Sequence, residues 1–150
     1  MKLETTINPL SINTVPSFQN TIMARELISS GTIWEKKDGY SRAVRVGNMV
    51  FVAGTTAVDE SGEVIGSDDP YKQAVFIYKK IERALQQAGA SMENVVRIRT
   101  FVTDMSCYPE LLKAQGEIFE HIRPAATLVE VTALIDSRLL VEIEADAVIE

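Results

Sequence analysis

From Arg42 onward the apolar positions fall into two rhythms, one of period two and one of three and four. "RAVRV", Gly47-Asn48 and "MVFVAG" make two β-rich runs about a two-residue turn, with glycine first as a type II′ hairpin prefers. After a turn centred on Gly62, "SDDPYKQAVFIYKKIERALQQAGA" offers an aspartate N-cap, Pro70 in the first turn and Gly89 just past the end. Ala74, Ile77, Ile81, Ala84, Leu85 and Ala88 recur there at spacings of three and four, which predicts a helix with one apolar stripe. "NVVRIRTFVTD" then alternates as a strand does, with Val96, Ile98, Thr100 and Val102 on one side and Arg97, Arg99 and Phe101 on the other. A second helix is predicted to begin around Ser106 to Pro109, with Leu111, Ala114, Ile118 and Ile122 on one face. It stops before Pro124, which disfavours helical geometry at Arg123.

Two further strands are predicted, roughly "ATLVEVTAL" and "LLVEIEADAVI". In the second, Val141, Ile143, Ala145, Ala147 and Ile149 share one side and Glu142, Glu144 and Asp146 the other. The order hairpin, helix, strand, helix, strand, strand implies an α+β fold with helices on one face of a sheet. The opposite face then carries Arg97, Arg99, Glu142, Glu144 and Asp146 beside Phe101 and Val148. Arginine on one strand and carboxylates on another suit a polar interface, so this face is expected to pack against copies of itself. Residues 1–34 show neither period, carry Pro9 and Pro16, and read as an irregular N-terminal arm ahead of a domain spanning residues 35–150. Met23 opens "MARELISSGTIWE" and offers a second candidate start beside Met1.

Composition narrows the function classes. A chain of 150 residues with 46% hydrophobic and 24% charged positions can bury one substantial core and does not have the make-up of a disordered segment. The net charge of −6 repels phosphate backbones and anionic lipid, making nucleic acid and membranes poor partners. The start lacks the continuous apolar run of a signal peptide, and the uncharged, mostly apolar run Val46 to Val58 is too short to span a bilayer, so a cytoplasmic protein is expected. With Cys107 and His121 the single residues of their types, neither a disulfide nor a Cys/His metal site is expected.

No P-loop, Gly-x-Ser-x-Gly elbow or His-Glu-x-x-His pair occurs. Cys107 and His121 lie on either side of the second predicted helix, about 20 Å apart at ~1.5 Å per residue, and a lone cysteine is more often packed core than nucleophile. Glu142 and Glu144 face the same way on one strand, roughly 6.5–7 Å apart. They could serve acid-base work or hold a water, and equally could pair with Arg97 and Arg99. "VAGTTAV" ends a buried strand with backbone amides near Gly54, Thr55 and Thr56, either a receptor for a carboxylate or carbonyl or a plain strand exit.

"GYSRAVRVGNMVFVAGTTAV", "ALQQAGASMENVVRIRTFVTDM", and above all "RPAATLVEV" followed by "VEIEADAVI" resemble the RidA/YjgF family, formerly grouped with the L-PSP endoribonucleases. The resemblance runs in family order from about Gly39 to the C-terminus. It implies a chorismate-mutase-like subunit, a mixed sheet covered by two helices on one face. It also implies assembly into a homotrimeric barrel, with small-molecule clefts between subunits. The implied activity is cofactor-free hydrolysis of reactive enamines and imines, such as 2-aminoacrylate, to 2-oxo acids and ammonia; some members are described as ribonucleases. Tyr40 matches a cleft tyrosine of the family, Gly54 a backbone contact with Thr55 beside it, and Glu142 the glutamate associated with ligand or water. In deaminating members an arginine follows Pro-Ala and holds the substrate carboxylate; here Ala126 stands in its place and Leu128 makes that wall more apolar. Arg123 is the nearest cation in sequence and is a candidate replacement. Three readings follow: a deaminase or related hydrolase with an altered substrate, a trimer that binds a metabolite without turning it over, or, least favoured by the acidic balance, an endoribonuclease.

Overall fold

The computed structural model describes residues 24–150, so most of the expected arm and the choice between Met1 and Met23 lie outside the described residues. Six strands form one sheet: β1 (Arg25–Ile28), β2 (Ala43–Val46), β3 (Met49–Thr56), β4 (Val95–Val102), β5 (Ala125–Glu130) and β6 (Val141–Val148). Their spatial order is β1-β2-β3-β6-β4-β5. Every neighbouring pair is antiparallel except β4–β5. Parallel neighbours need a crossover, and α3 (Tyr108–Phe119) supplies it. α2 (Pro70–Gln87) connects β3 to β4, and β6 fills the gap between them.

The hairpin turn is built as its sequence suggests. Gly47 has φ 61°, a left-handed conformation natural to glycine, and Asn48 does not, as in a type II′ turn. α2 is capped by the Asp69 carboxylate, which accepts from the Lys72 N–H at 2.9 Å, and Pro70 opens the helix. All six residues of the expected stripe are buried, joined by Tyr78 and by Gln73, whose amide is bonded at both ends. On α3, Leu111 and Ala114 are buried while Ile118 and Ile122 pack partly buried against the core. Phe119 is buried as well, meeting Tyr78 edge-to-face with centroids 5.4 Å apart. The chain leaves the helix through Arg123, whose φ of 52° is left-handed and whose N–H still reaches the Phe119 carbonyl at 2.9 Å. α3 itself stops at Phe119, short of the expected Ile122, and the left-handed Arg123 followed by Pro124 closes the turn that carries the chain away from it.

Two local expectations are corrected. Val96 was expected on the buried side of β4, yet it is 47% exposed and Val95 is buried in its stead. The pairing with β6 shifts between Val95 and Arg97, so Val96 is the extra residue of a bulge that breaks the alternation. The stretch before Trp34 is not irregular throughout either: Arg25–Ile28 pairs with β2 as an edge strand, and Ile33–Asp38 forms a short helix, α1. Only Ile28 of that strand is buried, so backbone pairing holds it and no alternation marks it in the sequence. The Glu35 carboxylate ties the two elements together by accepting from the hydroxyls of Ser29 and Ser30 and the Ser30 N–H.

The helix-facing side chains of β3, β4 and β6 join the helices in one core cluster. The outer face carries the expected charge ladder: Arg99 spans Glu144 at 3.2 Å and Asp146 at 3.1 Å, and Arg97 approaches Asp146 at 4.0 Å. Glu142, in the same alternation, takes no part in it.

Candidate functional site

β3 carries the first half of the site because it does not run straight. Its register against β6 shifts between Val52 and Thr55, leaving Ala53 and Gly54 as a bulge in "VAGTT". Bulges re-aim side chains and open the ladder, and glycine is needed at this one for a specific reason. A Cβ on Gly54 would overlap Oε1 of Glu142 on the adjacent strand. The Glu142 carboxylate therefore lies directly over the backbone of Gly54, where any larger residue would displace it.

Arg42, just ahead of β2, braces the bulge. Its Nη1 donates to the Gly54 carbonyl and to Thr55 Oγ1, both at 2.9 Å, and its guanidinium lies 5.6 Å from the centre of the Tyr40 ring. Thr55 is buried, and its hydroxyl donates to the Ala53 carbonyl at 2.8 Å, so Thr55 supports Arg42 and the bulge from beneath. Lys80 of α2 closes the far side by donating to the carbonyls of Thr56 at 2.9 Å and Val58 at 2.7 Å.

The electrostatics separate these groups from the charge ladder. Glu142 is half-buried and its carboxylate makes no hydrogen bond among the described residues. Burial raises its pKa above the ordinary 4.5, the nearby Glu144 adds to the rise, and the charge of Arg42 opposes it. Lys80 is pushed down to about 8, first by burial and then by the charge of Arg42, with Asp59 opposing. Together they form an unpaired acid with a raised pKa and two cations within electrostatic reach of each other, gathered around one bulge.

The remaining expected residues lie elsewhere. Ala126 pairs with Ile98, whose side chain is in the core, so Ala126 and Leu128 face the helix side of the sheet, opposite to Glu142. There, with Met105, Tyr108, Leu112 and Gln115, they border an open groove of about 420 Å³ along α3. Glu142 and β5 are also separated by β4, since Phe101 pairs with Glu142 on one side and Val129 on the other. Within one chain, then, Tyr40, Gly54, Thr55 and Glu142 come together, and Ala126, Leu128 and Arg123 do not join them. Arg123 is exposed, and its Nε donates to the Glu120 carbonyl at 3.0 Å, so it caps α3. Cys107 and His121 stand at opposite ends of α3. Burial, then Asp104 and Glu110, raise the Cys107 pKa and keep its thiol protonated.

Sequence reasoning missed Arg42 and Lys80. The available signal was a charged residue beside Tyr40 at the mouth of an apolar hairpin, and a lysine adjoining the apolar stripe of α2.

Comparison with known proteins identifies the family. The family profile described as Endoribonuclease L-PSP matches residues 34–149. A RutC family protein of Pyrococcus abyssi is 33% identical over 126 residues, covering 83% of this chain and 98% of the relative. A 3-aminoacrylate deaminase of Acinetobacter baylyi is 31% identical over 104 residues, covering 69% and 82% respectively. The crystal structure of Rv2704 of Mycobacterium tuberculosis, described as a member of the YjgF family, superposes with a TM-score of 0.76 at 47% identity, covering 84% of this chain and 100% of that one. A six-stranded mixed sheet with its helices packed into one core, the profile match over residues 34–149 and these relatives together place the chain in the RidA/YjgF family, also described as the L-PSP family.

Proposed function

We propose that the protein is a homotrimer that binds a small enamine or imine in clefts between subunits and hydrolyses its carbon–nitrogen bond without a cofactor. The observation that carries this reading is Glu142: a half-buried carboxyl with a raised pKa and no hydrogen-bond partner among the described residues, held over the Gly54 backbone. Two halves of a site on opposite faces of one sheet also favour an assembly. The Glu142 side of one subunit would meet the Ala126–Leu128 groove of the next, and the charge ladder would lie at the interface.

In the hydrolysis of an imine, Glu142 in its protonated form gives its proton to the imine nitrogen. The resulting carboxylate accepts a proton from the water that attacks the carbon. The carbinolamine then collapses: Glu142 passes that proton to the amine nitrogen, the hydroxyl proton returns to Glu142 as the carbonyl forms, the carbon–nitrogen bond breaks, and ammonia leaves a carbonyl product. An enamine enters the same sequence after protonation at carbon. The Gly54 amide would hold an acceptor atom of the ligand and the Tyr40 ring would shape the pocket. The Acinetobacter baylyi relative, named for an enamine substrate, supports this reaction class. Ribonuclease activity, suggested by the family description, fits poorly with a net charge of −6.

Purified protein supplied with enzymatically generated imino acids is expected to release keto acid faster than buffer, and Glu142→Gln to lose about 100-fold or more of that acceleration. The absence of guanidinium at Ala126 favours the alternative of a non-catalytic binder; stabilisation by a metabolite with no product formed would select it. Glu142→Gln also carries a pH signature. Because the folded-state pKa lies above 4.5, ionisation costs stability, which is full below that value and declines as pH rises through the raised one. The variant escapes this decline. At pH 7 it is expected to melt about 1–2 °C above the wild type, a small gain because the group is partly solvated, and the two should converge at pH 4. Equal melting temperatures at both pH values would remove the argument for a raised pKa.

A further inference from the structure

The vacancy at position 126 leaves open which group holds the anionic end of a ligand, and Arg42 has the geometry for it. Arg83, Arg97, Arg99 and Arg138 each have a carboxylate within ion-pair distance. Arg42 has none among the described residues, although it is the arginine that packs against the candidate site. Its Nη1 is spent on the Gly54 carbonyl and Thr55 Oγ1, which fixes the plane of the guanidinium. Its Nε and Nη2 make no hydrogen bond among the described residues, and no buried side-chain nitrogen there is left unpaired, so that edge of the fork opens to solvent. A planar, pre-oriented edge of two N–H groups is what a carboxylate binds in bidentate fashion.

The surroundings favour an anion as well. Lys80 lies close enough to Arg42 to be depressed by its charge, and although Asp59 offsets part of this at Lys80 and Glu35 feels Arg42, neither cation forms an ion pair among the described residues. Glu142 feels Arg42 across Gly54 without forming an ion pair with it. An anion on the open edge would offset the repulsion between the cations and would further favour the protonated form of Glu142, the form that donates a proton.

We propose that Arg42 is the carboxylate anchor of this cleft, holding the acid group of a small 2-oxo or 2-imino acid from the β2–β3 side through its Nε–Nη2 edge. Resting on the ligand cleft proposed above, this reverses the expected orientation, because the acid end points toward β3 and the apolar end toward Ala126 and Leu128.

The test compares 2-oxobutanoate with its uncharged amide, 2-oxobutanamide, by calorimetric titration of the full-length protein. Wild type is expected to bind the acid about tenfold or more tightly than the amide, the scale of a charged hydrogen-bonded contact. Arg42→Gln brings the ratio near one, Arg42→Lys keeps a reduced preference for the acid, and Arg83→Gln leaves the ratio unchanged. The ratio isolates recognition of charge, since loosening the bulge would weaken both probes alike. No preference in wild type, a preference that survives in Arg42→Gln, or one erased only by Arg123→Gln each overturns the anchor. An Arg42-dependent preference without any turnover of imino acids would leave the anchor standing and refute the deaminase reading. Turnover that is unimpaired in Arg42→Gln would do the reverse.

Discussion

Gly54→Ala is expected to leave the fold nearly intact and to cost about 100-fold in turnover or ligand affinity. The added methyl would overlap Oε1 of Glu142, and the three atoms nearest to it all belong to that side chain. Those are the far atoms of a flexible residue, so the clash is relieved by swinging the carboxylate away and the backbone can stay in place. Gly54 does not have a positive φ, so alanine brings no strain of that kind. The stability change should stay within about 1 kcal/mol. In the role proposed for Glu142, a carboxylate displaced by an ångström loses its alignment with the ligand, an effect on the order of 100-fold. Thermal unfolding alongside keto-acid release or ligand titration separates the two, and a second measurement in a Glu142→Ala background should show little further loss. A Gly54→Ala protein that melts normally and works normally would dismiss the Glu142–Gly54 pair as the centre of the site.

The largest effect on stability is expected at Gln73, through a polar group in the core. Its Nε2 donates to the carbonyls of Gly66 at 2.9 Å and Arg138 at 2.8 Å, and its Oε1 accepts from the Leu140 N–H at 2.8 Å. One fully buried amide thus joins the first turns of α2 to the loop before it and to the segment entering β6. Gln73→Leu keeps the volume and adds hydrophobicity, yet it strands three partly buried backbone groups, at a cost of about 2–4 kcal/mol in total. At the usual entropy of unfolding for this size, that lowers the melting temperature by roughly 5–15 °C. Because Leu140 leads directly into Val141 and Glu142, the substitution should also loosen the site. A leucine variant as stable as the wild type would mean that the amide contributes no more than its volume.

Much of the fold was legible because periodicity is a local property. The stripe of α2 needs only the spacing of Ala74, Ile77, Ile81, Ala84, Leu85 and Ala88, and all six are buried. The alternation of "VEIEADAV" places Val141, Ile143, Ala145 and Ala147 in the core, and glycine at position 47 suffices for the hairpin turn. The family resemblance marked Tyr40, Gly54 and Glu142, and the strand exit in "VAGTTAV" marked Thr55, four residues that the structure brings to one bulge.

The rest depended on pairing between distant segments. Glu142, Glu144 and Asp146 are equivalent in the alternation. The register of β6 against β4 puts Glu144 opposite Arg99 and Asp146 opposite Arg97, while Glu142 faces Phe101 and is left unpaired. The bulge at Val96 follows from the same register and overrides a local pattern that pointed the other way. Arg42 belongs to the site only because β2 and β3 fold together and Gly54 bulges toward it, and Gln73 is a core residue only because Leu140 and Arg138 return to meet it. Spacing along the chain determined which residues share a face. Which of them meet a charge, a carbonyl or an empty space was decided by strand register and loop closure, which bring together groups tens of residues apart.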